Sequence, residues 1–296
     1  MSLRSEYIMS LAGANYSGVS EEDLSSLFGK YLKNGIHGMC FSSYVDGQEP
    51  GSLINEGQIR ERINIVKPYT KWVRTFSCTD GNELIPAIAK ENGLKVMVGA
   101  WLSDNKELNE EEIENLVKVA KAGNADLVAV GNEVLYREEL TEEELLDYIY
   151  RVKEQLPGIE VGYVDAYYEF SNRPAITEAC DVIFANCYPF WEGCHIEYSL
   201  LYMKNMYHNA VSAGKGKKVI ISETGWPSRG SNFEASEPSF ENAMKYFINT
   251  QKWSKEENID VMYFSSFDEL WKVSDEGDVG AYWGIWDKDG KLKYGK

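Results

Sequence analysis

Basic residues are in short supply in this sequence: 30 Lys and Arg stand against 47 Asp and Glu, a formal net charge of -17. A chain this acidic repels phosphate backbones and anionic lipid headgroups, which argues against nucleic-acid and membrane partners. Histidine is scarcer still. Only His37, His195 and His208 occur, none with ligand spacing, so no metal is expected. A glycine-rich phosphate loop between strand and helix is missing, which argues against dinucleotide cofactors and phosphorylated substrates; no cofactor is expected.

Cysteine is present in an odd number, as Cys40, Cys78, Cys180, Cys187 and Cys194, without paired spacing. Several lie in apolar runs where a free thiol behaves as a small hydrophobe, and a reducing compartment is suggested. The stretch from Met1 to Ser10 carries Arg4 and Glu6 between short apolar pieces. It reads as neither signal peptide nor membrane span, so the expectation is a cytoplasmic protein. A secreted fragment without its leader reads identically, which keeps an extracellular or periplasmic location open. No linker composition or low-complexity tract divides the chain, and nothing implies a protein partner.

What is there suits one large core. Hydrophobic residues make up 44% and charged residues 26% of the 296, and barrels of about 250 residues routinely fold as one unit. From Ile36 onward, short Val-, Ile- and aromatic-rich runs alternate with longer amphipathic segments, the pattern of repeated βα units. Strands are predicted over 36–42, 72–78, 95–102, 127–133, 160–166, 182–187, 218–223 and 260–267, enough to close an α/β (β/α)8 TIM barrel of a single domain, residues 1–296.

Helix punctuation supports the frame. Thr141 to Glu144 forms a capping box, Asn109 with Glu112 a weaker one, and Pro238 suits a first helical turn. Gly93, Gly123, Gly158 and Gly214 are placed as left-handed helix ends. Little sequence follows the last strand, so another element must cover it. The amphipathic helix starting at Ser20, with Leu24, Leu27, Phe28, Tyr31 and Leu32 on one face, is expected to do so, making 1–34 an N-terminal extension packed on the barrel. The long stretch from Ser43 to Gly57 is expected at the barrel mouth.

In such barrels the reacting groups sit where strands end and βα loops begin. Two apolar strands, Val128 to Glu133 and Val219 to Glu223, each end in a glutamate. Retaining hydrolysis of a glycosidic bond needs two carboxyl groups about 5–5.5 Å apart, and glutamates on the fourth and seventh strands meet that demand across a barrel. A lone strand-end Glu is usually just solvated; the apolar residues leading into both weigh against that here. Aromatic residues at 13%, with 8 Trp and 19 Tyr, supply faces for sugar rings or, equally, a core.

Gly131-Asn132-Glu133 together with Glu223-Thr224-Gly225-Trp226-Pro227 resembles glycoside hydrolase family 17, the β-1,3-glucanases and glucanosyltransferases. Asp46-Gly47-Gln48, Val73 to Cys78, Gly93 to Val96, Tyr188-Pro189-Phe190, Phe267-Asp268-Glu269 with Trp271-Lys272, and Trp283 to Trp286 are similar to its microbial branch, in the same order. The resemblance implies a retaining enzyme on β-glucan, with Glu133 as general acid/base and Glu223 as nucleophile. It places Asn132 on the 2-hydroxyl of the attacked sugar. It also brings Tyr188 near Glu223 and makes Trp226 an apolar wall beside the sugar, although either is equally at home in the core. Glu269 and Lys272 fall near the cleavage subsites, an exposed ion pair being the alternative. Arg74 is placed to brace Glu223 and lower its pKa, with a purely structural ion pair the alternative. Tyr163 to Tyr168 can line further subsites. Leu270 stands where microbial relatives often have Pro, and the helix at 20–33 is outside the motif set. The expectation is a retaining hydrolase of β-1,3-glucan, with transfer to a second sugar as the alternative and a catalytically silent glucan-binding barrel as the alternative of another class.

Overall fold

A computed structural model describes residues 13, 14, 16 and 18–295. The first twelve residues of the N-terminal extension, including Met1 to Ser10, lie outside the described residues. Eight parallel strands close on one another in chain order: β1 (Ile36–Cys40), β2 (Thr70–Arg74), β3 (Lys95–Ala100), β4 (Leu127–Asn132), β5 (Glu160–Ala166), β6 (Val182–Asn186), β7 (Lys218–Thr224) and β8 (Val261–Tyr263). The helices around them are α1 (Glu21–Lys33), α2 (Glu56–Val66), α3 (Ile85–Glu91), α4 (Lys106–Lys121), α5 (Glu142–Gln155), α6 (Glu169–Asn172), α7 (Pro174–Ala179), α8 (Ser199–Gly214), α9 (Phe240–Glu257) and α10 (Val273–Glu276). This is the expected (β/α)8 barrel. Strands such as β4 and β6 are buried at every residue, as parallel strands covered on both faces must be. Closure brings Gly38 of β1 opposite both Trp72 and Met262. A Cβ at Gly38 would lie 2.1 Å from the Met262 sulfur, so glycine leaves the room that Met262 fills.

Helix α1 lies against α9 and the C-terminal segment. Ser20 caps it by accepting the Asp23 N–H at 3.1 Å, and Leu24, Phe28 and Leu32 are buried. Phe28 packs 4.3 Å from Phe247 of α9 and 4.9 Å from Tyr294, while Phe247 meets Tyr263 of β8. Each such buried side chain contributes about 1.5–3 kcal/mol. The C-terminal segment bridges Phe267 to Trp286 and Trp286 to Leu292. All five thiols are free and buried.

Several local readings need correction. Strand β8 ends at Tyr263 rather than 267, because the next amides turn to separate partners: Phe264 to the Thr224 carbonyl, Ser265 to Trp283 and Ser266 to Cys40. Strand β2 runs from Thr70 to Arg74 instead of 72–78. Pro238 precedes the true cap of α9, Ser239. Gly93, Gly123 and Gly158 do have positive φ, but Gly214 does not; Lys215 (φ 47°) and Gly216 (φ 93°) make that turn.

Asn109 and Glu112 form no cap, since Asn105 caps α4. Both are buried within α4, and Glu112, 1% exposed, ties two βα loops together. Its carboxylate accepts the Cys78 N–H at 2.7 Å, the Thr79 hydroxyl at 2.8 Å, the Ser77 hydroxyl at 2.5 Å and the Trp101 N–H at 3.1 Å. Glu112→Ala strands these donors in the interior. It is expected to cost about 2–4 kcal/mol in urea or thermal unfolding; a loss under about 0.5 kcal/mol contradicts that role.

Candidate active site

The site sits at the carboxyl ends of β2, β4, β6 and β7, where strand irregularities aim its side chains. Strand β4 carries an extra residue against β5 between Ala129 and Asn132, with Gly131 at φ 86°. Such a bulge re-aims the residues that follow. Glu133 comes next, itself at φ 51°, with its N–H on the Val164 carbonyl at 2.8 Å. A positive φ is strained for a residue with a side chain and is held by its surroundings. Strand β7 likewise gains a residue against β6, which sets Glu223 opposite Asn186.

One atom joins the two carboxylates. Asn186 Nδ2 donates to Glu133 Oε1 at 2.7 Å and to Glu223 Oε1 at 3.2 Å, while its Oδ1 accepts the Ser222 hydroxyl. The two oxygens can be no farther apart than those distances laid end to end. That limit, set on one oxygen of each group, is compatible with the about 5–5.5 Å between the carboxyl groups of a retaining pair.

Glu223 is 6% exposed and held on both oxygens. Arg74 Nη1 donates to Oε1 at 2.7 Å and the Tyr188 hydroxyl donates to Oε2 at 2.7 Å. The same guanidinium reaches Asn132 Oδ1 through Nη2 at 2.6 Å, so Arg74 ties together the residues expected on β4 and β7. Burial, with the Glu223 charge added, pushes the Glu133 carboxyl up to about 7. Burial and then Glu223 also hold the Tyr188 phenol well above its ordinary value, so it stays a donor.

Glu269 and Lys272 form a buried pair, Oε2 to Nζ 2.9 Å, rather than an exposed one. The ammonium lies 4.1 Å from the Phe264 ring centre. Burial by itself would lower Lys272; Glu269, Glu276 and Glu223 outweigh it and leave its pKa raised. Glu269 also lines a second cavity with Tyr44 to Glu49, Trp271 and Lys288, where the long 43–57 stretch reaches the mouth.

Trp226 is a correction. It is 1% exposed, its indole N–H bonds the Glu237 carbonyl, and it packs edge-on behind Phe190. The apolar walls are instead Trp283, Trp191 and Phe264, which line a cleft of about 520 Å³ with Glu133, Asn186, Tyr188 and Glu223. Tyr167 and Tyr168 line it as well, whereas Tyr163 is buried. Sequence reasoning missed Asn186, whose signal was a polar residue at the end of the sixth strand directly before Cys187 and Tyr188. It also missed Glu276, a cleft carboxyl that burial pushes to about 7 against the pull of Lys272.

Residues 38–284 match the model of the BtgE/BtgC glycoside hydrolase domain. The chain is 30% identical over 262 residues to the glucan 1,3-beta-glucosidase BGL2 of Candida albicans, covering 78% of this chain and 83% of that protein. It is 28% identical to a glucan 1,3-beta-glucosidase of Saccharomyces cerevisiae, covering 82% and 86%. The crystal structure of the glycoside hydrolase family 17 β-1,3-glucanosyltransferase from Rhizomucor miehei superposes with a TM-score of 0.79 at 33% identity, over 88% of this chain and 96% of that one. An endo-laminarinase from Formosa, at 17% identity and a TM-score of 0.76 over 89% and 86%, shares the fold. The motifs, the barrel and these matches agree: the chain belongs to glycoside hydrolase family 17 and is a glycosidase.

Proposed function

We propose that the protein cleaves β-1,3-glucan with retention of configuration, Glu223 acting as nucleophile and Glu133 as acid/base. The observation that carries this reading is the single Asn186 nitrogen shared by both carboxylates, which supports a spacing suited to a covalent intermediate. Glu223 attacks the anomeric carbon while Glu133 gives its proton to the departing glycosidic oxygen. Glu133 then takes a proton from water, and that water breaks the glycosyl ester and frees Glu223. The environments divide the labour: a carboxyl pushed to about 7 is available as an acid near neutrality, whereas one gripped by a guanidinium and a phenol is oriented for attack.

Asn132 reaches Arg74 through Oδ1, which leaves Nδ2 to donate to the sugar 2-hydroxyl, a contact that strengthens in the transition state. The choice of β-1,3-glucan rests on relatives named for that substrate. One observation favours a second reading, transfer to another glucan. Tyr136 and Trp191, 59% and 36% exposed, flank the cleft as open faces for an acceptor sugar.

Incubation with a series of β-1,3-linked oligosaccharides tests these readings together. Only shorter products are expected from a hydrolase, and products longer than the starting chain identify a transferase. Binding with no product at all overturns the catalytic reading.

A further inference from the structure

Behind the candidate acid stands a polar pair that the proposed chemistry does not use. Tyr163 and Asp165, two residues apart on β5, project from one face of the strand, and they are 1% and 0% exposed. The Tyr163 phenol donates to Asp165 Oδ2 and accepts the Leu135 N–H at 3.0 Å. The other Asp165 oxygen accepts the Ala166 N–H at 2.7 Å.

Leu135 lies two residues past Glu133, so β5 fastens the turn at two points. The Val164 carbonyl holds the Glu133 N–H at 2.8 Å, and the Tyr163 phenol holds the Leu135 N–H. The ring also lies against β4, since a Cβ on Gly131 would sit 3.3 Å from it. Between the two fastenings is Glu133 at φ 51°, a conformation that relaxes unless its surroundings hold it.

A phenol has one proton and can point it either way. With its proton committed to Asp165, Tyr163 presents a lone pair to Leu135; without that carboxylate the hydroxyl is free to rotate. A buried acid that only filled space would be a poor choice, because burying a carboxyl without a cation is costly, and Asp165 has no Lys or Arg partner among the described residues.

We propose that Tyr163 and Asp165 are a positioning clamp for Glu133, the phenol pinning the 133–135 turn and Asp165 setting the direction of the phenol. This rests on the assignment of Glu133 as acid/base. The Asp165 charge acts in the same sense: burial is the largest influence raising the Glu133 carboxyl, then Glu223, with Asp165 adding to them and Asn186 and Arg137 opposing.

The test separates aiming of the acid from simple stability. Tyr163→Phe and Asp165→Asn are compared with wild type by kcat/KM on a β-1,3-linked oligosaccharide and on the dinitrophenyl glycoside of the same glucan, whose leaving group departs without a proton. The clamp predicts a loss of about tenfold or more on the oligosaccharide and less than about threefold on the dinitrophenyl glycoside, because general acid catalysis supplies about 10²–10⁴ only where it is needed. Equal losses on both substrates, or no loss on either, overturn it. Tyr163→Phe removes a single oxygen and carries the test if Asp165→Asn does not fold. Glu133→Ala is measured alongside. If it shows no selectivity between the substrates, the assignment of Glu133 fails; if it is selective and the clamp variants are not, the clamp alone fails.

Discussion

Glu223→Ala is expected to lower sugar release from β-1,3-glucan by about ten-thousandfold or more, a barrier increase of more than about 5 kcal/mol. Asn186 and Tyr188 both donate to Glu223 and orient it, so its removal takes away the one carboxylate held for attack. The alanine variant also leaves Arg74, 2% exposed, without its ion-pair partner, and removing one member of a buried pair costs about 3–5 kcal/mol. Glu223→Gln is therefore the cleaner companion, because its amide oxygen still accepts from Arg74. Loss of activity in a glutamine variant that unfolds near the wild-type temperature isolates the chemistry from the fold. A glutamine variant with wild-type turnover removes Glu223 from the mechanism.

The second large effect is a pH dependence with a defined sign. A general acid must be protonated to act, and an ordinary Glu near 4.3 is almost fully ionised at neutrality. Glu133, raised by burial and then by Glu223 to about 7, keeps its proton through the weakly acidic range. The rate kcat/KM is expected to fall about tenfold per pH unit above pH about 7, as the free enzyme loses that proton. The limb belongs to the coupled pair of glutamates rather than to one isolated group. In Glu133→Gln the limb disappears and the rate on oligosaccharides drops by about 10²–10⁴. Glu276 also lies near 7, so Glu276→Gln distinguishes the two: the limb stays if Glu133 is its source and vanishes if Glu276 is.

The sequence made the barrel legible because parallel strands buried on both faces read as apolar runs, and the polar residue ending each run marks the mouth. Glu133 and Glu223 follow from that rule, while Arg74, Asn132 and Tyr188 come with the family resemblance. Arg74 bonds both Glu223 and Asn132, Tyr188 bonds Glu223, and Glu133 joins them through Asn186. What escaped depends on register. The extra residues in β4 against β5, and in β7 against both β6 and β8, break the period-two alternation by which a side chain's face is counted. Trp226, three residues past Glu223, therefore turns into the core, and the wall falls to Trp283, sixty residues downstream and joined to the site only by folding. Asn186 ends a strand as the rule requires, yet an amide between Ala185 and Cys187 carries no signal of reactivity by itself. Glu112 misled for a related reason. Its spacing from Asn109 suits a cap, but its four donors come from the loops after β2 and β3, partners distant in sequence.

The most direct measurement is to trap the intermediate. A 2-fluoro-2-deoxy glycoside with a dinitrophenyl leaving group slows breakdown of a glycosyl ester more than its formation, and peptide mass spectrometry then locates the added sugar. The account predicts one fluorosugar on Glu223, with the label lost in Glu223→Gln. A label on another residue, or steady turnover to a product of inverted anomeric configuration with no label anywhere, contradicts it.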